Sequence, residues 1–303
     1  VGSDVFATKA NIVECVNICK DIGINTIFVV TYNDAKTKYK SQVMKDYMGV
    51  EIDPKYAGRD PLAEMIEAAK PHGIKVVAWF EYGFASVYGD NSGGALVARY
   101  PSWASRDAAG NITEKNKFYW LDAFNPEVQQ FVKKLMVEVV EKYPDLAGVQ
   151  GDDRLPALAS NGGYNASVTA RYKTETGRTA PSNYLDSHWL QWRADKLSDF
   201  GEYIFKHIKS LKGEQMVSWS PSPFSWSLQN YLQDWPEWLR RGIVDHVHPQ
   251  LYRYNFNDYK ASFDQAMNNM SPFNAKELIF SPGILVGIGS GDSVTPAILD
   301  QKL

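Results

Sequence analysis

Leu146-Ala147-Gly148-Val149-Gln150-Gly151-Asp152-Asp153-Arg154 is a short apolar run that ends in two acids and a guanidinium, bounded by Pro144-Asp145 and by Pro156. It is too short for a helix and long enough for a buried strand. Side chains alternate along a strand, so Gly148, Gln150 and Asp152 share one side while Ala147, Val149, Gly151 and Asp153 share the other. Glutamine and aspartate are expensive against packed helices. They are acceptable facing the inside and open mouth of a barrel, where water or a ligand satisfies them. A strand that stops in acids is where an α/β barrel keeps its chemistry, which makes Asp152 the leading catalytic candidate. The alternative is that Asp152 or Asp153 caps the next turn or pairs with Arg154, a common fate of Asp at a strand end.

Outward from this run one unit repeats. Residues 8–22 have helical spacing, Gly23 ends them, and 25–31 form a strand. Asp60-Pro61 opens a helix to residue 69, His72-Gly73 ends it, and 74–80 form a second strand closing in Glu81 and Tyr82. Residues 83–122 show little periodicity, and loops of that length in a compact domain are usually functional, so this one is expected to cover the site. Asn125-Pro126-Glu127 opens a helix over 127–142 that leads into the central strand. Helices over 164–175 and 186–211 precede a strand at 216–220, which ends in Pro221-Ser222-Pro223. A helix over 235–241 leads to a strand at 243–252, with Val247 and Leu251 on one face and His246, His248, Gln250 and Tyr252 on the other. Residues 259–267 are helical, 277–285 a strand, and 294 onward a final helix.

Six strands alternating with helices leave a (β/α)8 barrel or a doubly wound open sheet. No GxGxxG follows the first strand, and polar residues collect at strand ends, as barrel sites require. The expected fold is therefore α/β, a TIM barrel in one domain over 1–303. With six strands counted, it is read as truncated at its first and last strands, the first few residues being the tail of the first.

The 303 residues are 44% hydrophobic, enough for one large core. A net charge of -3 and a pI near 6.0 give no broad basic surface, and no nucleic-acid motif is present, so nucleic acid is not expected as a partner. No apolar stretch approaches a membrane span. Cys15 and Cys19 fall in the stripe Ile12, Cys15, Val16, Cys19, which predicts small core hydrophobes.

Across nearly its whole length the chain resembles glycosyl hydrolase-like family 10, the YddW-like bacterial proteins. The resemblance rests on Gly2-Ser3-Asp4-Val5-Phe6, Thr31-Tyr32-Asn33, Ala78-Trp79-Phe80-Glu81-Tyr82, Gly148-Val149-Gln150-Gly151-Asp152-Asp153, Trp192-Arg193, Ser220-Pro221-Ser222-Pro223 and His248-Pro249-Gln250-Leu251-Tyr252-Arg253. It implies a (β/α)8 barrel and an exported or envelope-associated glycoside hydrolase acting on oligosaccharide or polysaccharide strands of the peptidoglycan type. The alternative is a glycan-binding barrel without catalysis.

Glycoside cleavage needs an acid for the leaving oxygen and a second carboxylate at the oxocarbenium-like centre. Asp152, Asp153 and Glu81 are the carboxylates at strand ends. Adjacent aspartates also occur in barrel hydrolases that use the substrate's own N-acetyl group as nucleophile. Substrate-binding candidates are Asn33, Tyr82, Arg154, His248, Gln250 and Tyr252, with Trp219 for sugar stacking and Arg193 reaching back to the acid pair. No HExxH is present and His246 and His248 lack a nameable third ligand, so neither metal nor cofactor is expected.

Overall fold

The structure, a computed structural model, describes residues 4–270, 279–288 and 292–303. Six parallel strands pair in chain order: β1 (Thr26–Asn33), β2 (Lys75–Phe80), β3 (Gly148–Gly151), β4 (Met216–Trp219), β5 (His246–Val247) and β6 (Ile279–Phe280). Each lies within or beside its predicted run. Of the run 277–285, residues 277 and 278 lie outside the described residues.

Helices begin where short polar side chains accept the first free amides. The Thr8 hydroxyl accepts from Asn11 N at 3.1 Å at the head of Lys9–Asp21, and Asp60 accepts from Ala63 N at 3.1 Å at the head of Pro61–Ala69. Asn125 does the same for Pro126–Lys142, and Asp186 for Ser187–Leu211. The last buries Trp189, Leu197, Phe200 and Ile204, the apolar face its spacing predicts.

The sheet curls strongly. The Phe28 ring of β1 meets the His248 ring, just past β5, edge-on at 5.3 Å. In a flat sheet, four spacings of about 4.8 Å would hold those strands roughly 19 Å apart. The curl makes an inside and an outside, and the β3 alternation sorts its residues between them. Gln150 points in and donates to Ser218 Oγ at 2.8 Å, while Val149 and Val217 are buried outward. Gly151 has no room for a side chain, since a Cβ there would lie 2.7 Å from the Trp219 ring. Among the described residues β1 and β6 do not pair; β1 instead carries a short antiparallel partner, Lys36–Thr37.

Two expectations change. The expected tail of a first strand falls on residues 1–3, which lie outside the described residues; Val5–Ala7, next along the chain, form a single 3-10 turn. Residues 83–122 are not irregular: Ala85–Tyr88, Phe118–Trp120 and Glu114–Lys115 make a three-stranded antiparallel sheet, beside the helix Gly94–Arg99. Strands of two to four residues are too short to show a period. Finally, Ile12 and Val16 are fully buried, but Cys15 and Cys19 are only half-buried, at the edge of the stripe. Among the described residues no helix is long and apolar enough to cross a membrane.

Candidate active site

Phe80 pairs with Gly151, so β2 and β3 end at one level and Glu81 and Asp152 leave the sheet side by side. The turn after β3 closes through Leu155 N donating to Asp152 O at 3.0 Å. The chain after β2 presses onto this turn, with Phe84 N donating to Arg154 O at 2.9 Å. At Gly83, with φ +52°, a Cβ would lie 2.3 Å from that same carbonyl, so both the conformation and the approach require glycine.

Arg154 folds back across the two strand ends and joins three carboxyls. Its Nε donates to the Glu81 carbonyl at 3.0 Å, and Nη1 pairs with Asp153 Oδ1 at 2.7 Å. Nη2 donates to Asp152 Oδ2 at 3.1 Å and stands 3.9 Å from Glu81 Oε1. Those two contacts together keep Asp152 Oδ2 and Glu81 Oε1 no more than about 7 Å apart, below the upper end, roughly 9.5 Å, of the spacing of paired glycosidase carboxyls.

The second oxygen of Asp152 accepts from Gln250 Nε2, which also donates to Ser220 O at 2.9 Å, and Gln233 Nε2 donates to the Asp152 carbonyl at 3.1 Å. The acids are graded in accessibility, with side chains 4% exposed for Asp152, 15% for Asp153 and 28% for Glu81. Burial pushes both aspartic acids above the usual carboxylate range. For Asp152 the charge of Asp153 adds to the rise and Arg154 opposes it. Two buried acids against one guanidinium hold a proton more firmly than isolated carboxyls do, and they hold it as a pair.

Asn33, at the end of β1, donates to Glu81 Oε2 at 3.2 Å. Asn33, Glu81 and Tyr82 line a cavity of about 700 Å³ walled by Tyr56 and Trp79. The Tyr82 hydroxyl is pushed up to about 12 by burial and then by Asp34 and Glu81. Tyr252 also rises to about 12, through burial and the charges of Asp152 and Asp153, which puts it within the field of the acid pair.

Three of the residues singled out in the sequence sit elsewhere. Arg193 does not reach the acids. It is fully buried, donates to the carbonyls of Trp189, Ser160, Gly162 and Tyr184 at 2.5 to 3.2 Å, and lies over the Trp189 ring at 4.5 Å, so it ties a loop to its helix. Burial lowers its pKa to about 9. Trp219 is core: β4 alternates Ser218 inward and Trp219 outward, where Nε1 donates to Ile243 O at 3.1 Å and the ring packs on Trp238. His248 lines a separate cavity of about 790 Å³ with Thr26, Lys75, Ala147 and Met216, at the strands' N-terminal end. Burial, then the neighbouring His246, lowers its pKa to about 4, so it is neutral at physiological pH.

Other parts of the site carry no signal in the sequence. Gln233 follows Leu232 in a left-handed turn, Phe118 lies on a three-residue strand with its ring 4.6 Å from the Arg154 guanidinium, and the buried Tyr231 feels the charge of Asp153. Among the described residues no group of three or more His, Cys, Asp or Glu is placed to hold a metal.

The family model described as Glycosyl hydrolase-like 10 matches residues 1–299. The glycosyl hydrolase DigH of Escherichia coli O6:H1 is 26% identical over 268 residues, covering 80% of this chain and 57% of the relative. The glycosyl hydrolase YngK of Bacillus subtilis is 26% identical over 275 residues, covering 83% and 50%. The chain thus spans about half the length of the curated relatives it matches. Among solved structures, a cold-adapted β-galactosidase from Rahnella sp. R3 superposes with a TM-score of 0.64 at 11% identity, covering 94% of this chain and 44% of that one. The catalytic domain of a β-amylase from Paenibacillus polymyxa gives 0.61 at 9% identity, covering 97% and 93%. At these identities the likeness is one of fold, and that fold is the TIM barrel.

Proposed function

We propose that this chain, which belongs to the Glycosyl hydrolase-like 10 family, cleaves O-glycosidic bonds in bacterial glycan strands containing N-acetylhexosamine. The observation that carries this is the acid centre: Glu81, Asp152 and Asp153 meet on one guanidinium at the C-terminal strand ends, beside a cavity roomy enough for sugar residues. Asp152 is sealed on both oxygens, by Gln250 and by Arg154. Its part is to hold the shared proton and orient the pair. Asp153, more accessible and likewise raised by burial, delivers the proton to the leaving oxygen. Glu81, the most exposed of the three and oriented by Asn33, supports the positive charge that develops at the anomeric carbon. If the substrate's acetamido group is the nucleophile, Asp152 and Asp153 suffice and Glu81 serves only binding.

The test is reducing-end release from purified, peptide-free glycan strands, alongside direct binding of the same strands. Release that disappears in Asp153→Asn with binding retained supports hydrolysis. Binding by the native protein with no release at any pH favours a glycan-binding barrel.

A further inference from the structure

We infer that Phe118, carried on the small sheet inserted between β2 and β3, is a positioning residue of the acid centre: its ring seats the Arg154 guanidinium against Asp152 and Asp153 and keeps water from the cation. This rests on the reading of that centre as the hydrolytic site.

The guanidinium carbon lies 4.6 Å from the Phe118 ring centroid, well inside the range of a cation–π contact, and 5.9 Å from that of Tyr82. Tyr82 meets Phe118 edge-on at 5.4 Å, and Tyr88 meets it from another side at 5.0 Å, so three rings make an aromatic roof. The roof is fixed from outside the site. Phe118 is in register with Tyr88 and Lys115, Gly89 N donates to Lys117 O at 2.7 Å, and Asn116 Nδ2 donates to the Tyr231 hydroxyl at 2.7 Å. The nitrogens of Arg154 face Glu81, Asp152 and Asp153 at the edge of the guanidinium, and the Phe118 ring lies on the cation itself. An aromatic ring there attracts the charge and excludes water. With water excluded the local dielectric stays low, and Arg154 pulls harder on the two carboxylates.

The charged and titratable groups around Arg154 are Glu81 and Tyr82 after β2, Asp152 and Asp153 after β3, Tyr231 beyond β4, and Tyr252 beyond β5. On the insert itself Glu114, Lys115 and Lys117 neighbour Phe118 in sequence, and Lys115 reaches toward Ser160 at 3.5 Å and not toward the arginine. Because Phe118 faces the cation and not the acids, losing its ring wets Arg154 first. The pull that favours ionised carboxylates then weakens, and the acids keep their proton to higher pH.

The test uses Phe118→Ala, Phe118→Leu and Phe118→Tyr, with two readouts: titration of the aspartate carboxyl carbons by 13C NMR, and the pH profile of reducing-end release from peptide-free glycan strands. Phe118→Ala should move both upward by about one pH unit, the size of a partly desolvated cation–π contact. Phe118→Leu, which keeps apolar cover without a π face, should move them by less, and Phe118→Tyr should restore the native curves. If Phe118→Ala does not fold, the Leu and Tyr pair makes the same comparison. A folded Ala or Leu variant whose titration and profile stay put, or move down, overturns the inference while leaving the hydrolase reading intact. If the native protein releases nothing at any pH, the hydrolase reading falls, and the carboxyl titration alone decides whether Phe118 seats the arginine.

Discussion

Replacing Arg154 by Met should turn the acid centre from a satisfied cluster into three crowded carboxyls, and the damage should depend on pH. The Arg154 side chain is only 12% exposed among neighbours that include Asp152, Asp153 and Glu81, and its pKa is raised because their charges outweigh the cost of burying it. Removing one partner of a buried ion pair costs roughly 3 to 5 kcal/mol when the remaining charge cannot escape. Here it can, by taking up protons. In the folded protein Asp152 and Asp153 already hold their protons to higher pH than an ordinary aspartate does, and the variant raises them further. For an acid shifted upward, stability is fully present below the unfolded pKa and is lost as pH climbs through the folded one, at up to about 1.4 kcal/mol per unit per group. Urea unfolding from pH 4 to pH 8 should therefore show Arg154→Met close to native at pH 4, within about 1 kcal/mol, and about 3 kcal/mol or more below it at pH 8. A gap that is the same at both ends of the range, or under about 1 kcal/mol at pH 8, would refute the claim that Arg154 compensates these acids.

Asp152→Asn and Asp153→Asn should each lower turnover on peptide-free glycan about a hundred- to ten-thousand-fold with the unfolding midpoint little changed. Glu81→Gln is the deciding comparison: near-normal turnover there with both Asp variants inactive favours the substrate's acetamido group as nucleophile, and a glycan without acetamido groups should then resist the native enzyme. Gly83→Ala should cost about 2 kcal/mol or more in urea unfolding, because a methyl group meets the Arg154 carbonyl at a positive φ; a variant as stable as native would show that this joint is loose. Trp219→Ala should cost roughly 3 to 5 kcal/mol, as a large core truncation does, without raising KM for glycan in the protein that remains folded; a raised KM at unchanged stability would return Trp219 to the site.

The strands and most of the long helices were legible because hydrophobic runs and caps report burial directly. Asp60-Pro61 and Asn125-Pro126 start helices where their chemistry says they should, and the 148–151 run is buried throughout. The inserted sheet was not legible. The pairing of Ala85–Tyr88 with Phe118–Trp120 and the bond from Asn116 to Tyr231 join residues far apart in sequence, and the remaining pairing is a hairpin whose strands are too short to show a period. In the same way Gln233 is placed by a left-handed turn at Leu232, which nothing in the residue type announces.

The site was half legible, and the misplaced residues show where alternation stops being enough. On β3 the rule carried Gln150 inward and Asp152 to the mouth. On β4 the same rule, counted one residue on, sends Trp219 outward to Trp238, so aromatic character pointed to sugar stacking where the phase pointed to core. His248 and Gln250 share a face, yet strand height separates them: Gln250 meets Asp152 at the mouth, while His248, two residues earlier and so roughly 7 Å lower, opens onto the cavity at the other end. Arg193 failed for another reason, since a residue on the outer helix can reach the mouth only through the sheet, and its fork found four backbone carbonyls on its own side first. Phase decides which face of a strand a residue takes and height decides which end of the barrel it serves. An acid pair at a strand's C-terminal end satisfies both conditions at once, which is why Asp152, Asp153 and their partner Arg154 could be located from nine residues of sequence, and Glu81 and Gln250 from the ends of other strands, while Gln233, Tyr231 and Phe118 could not.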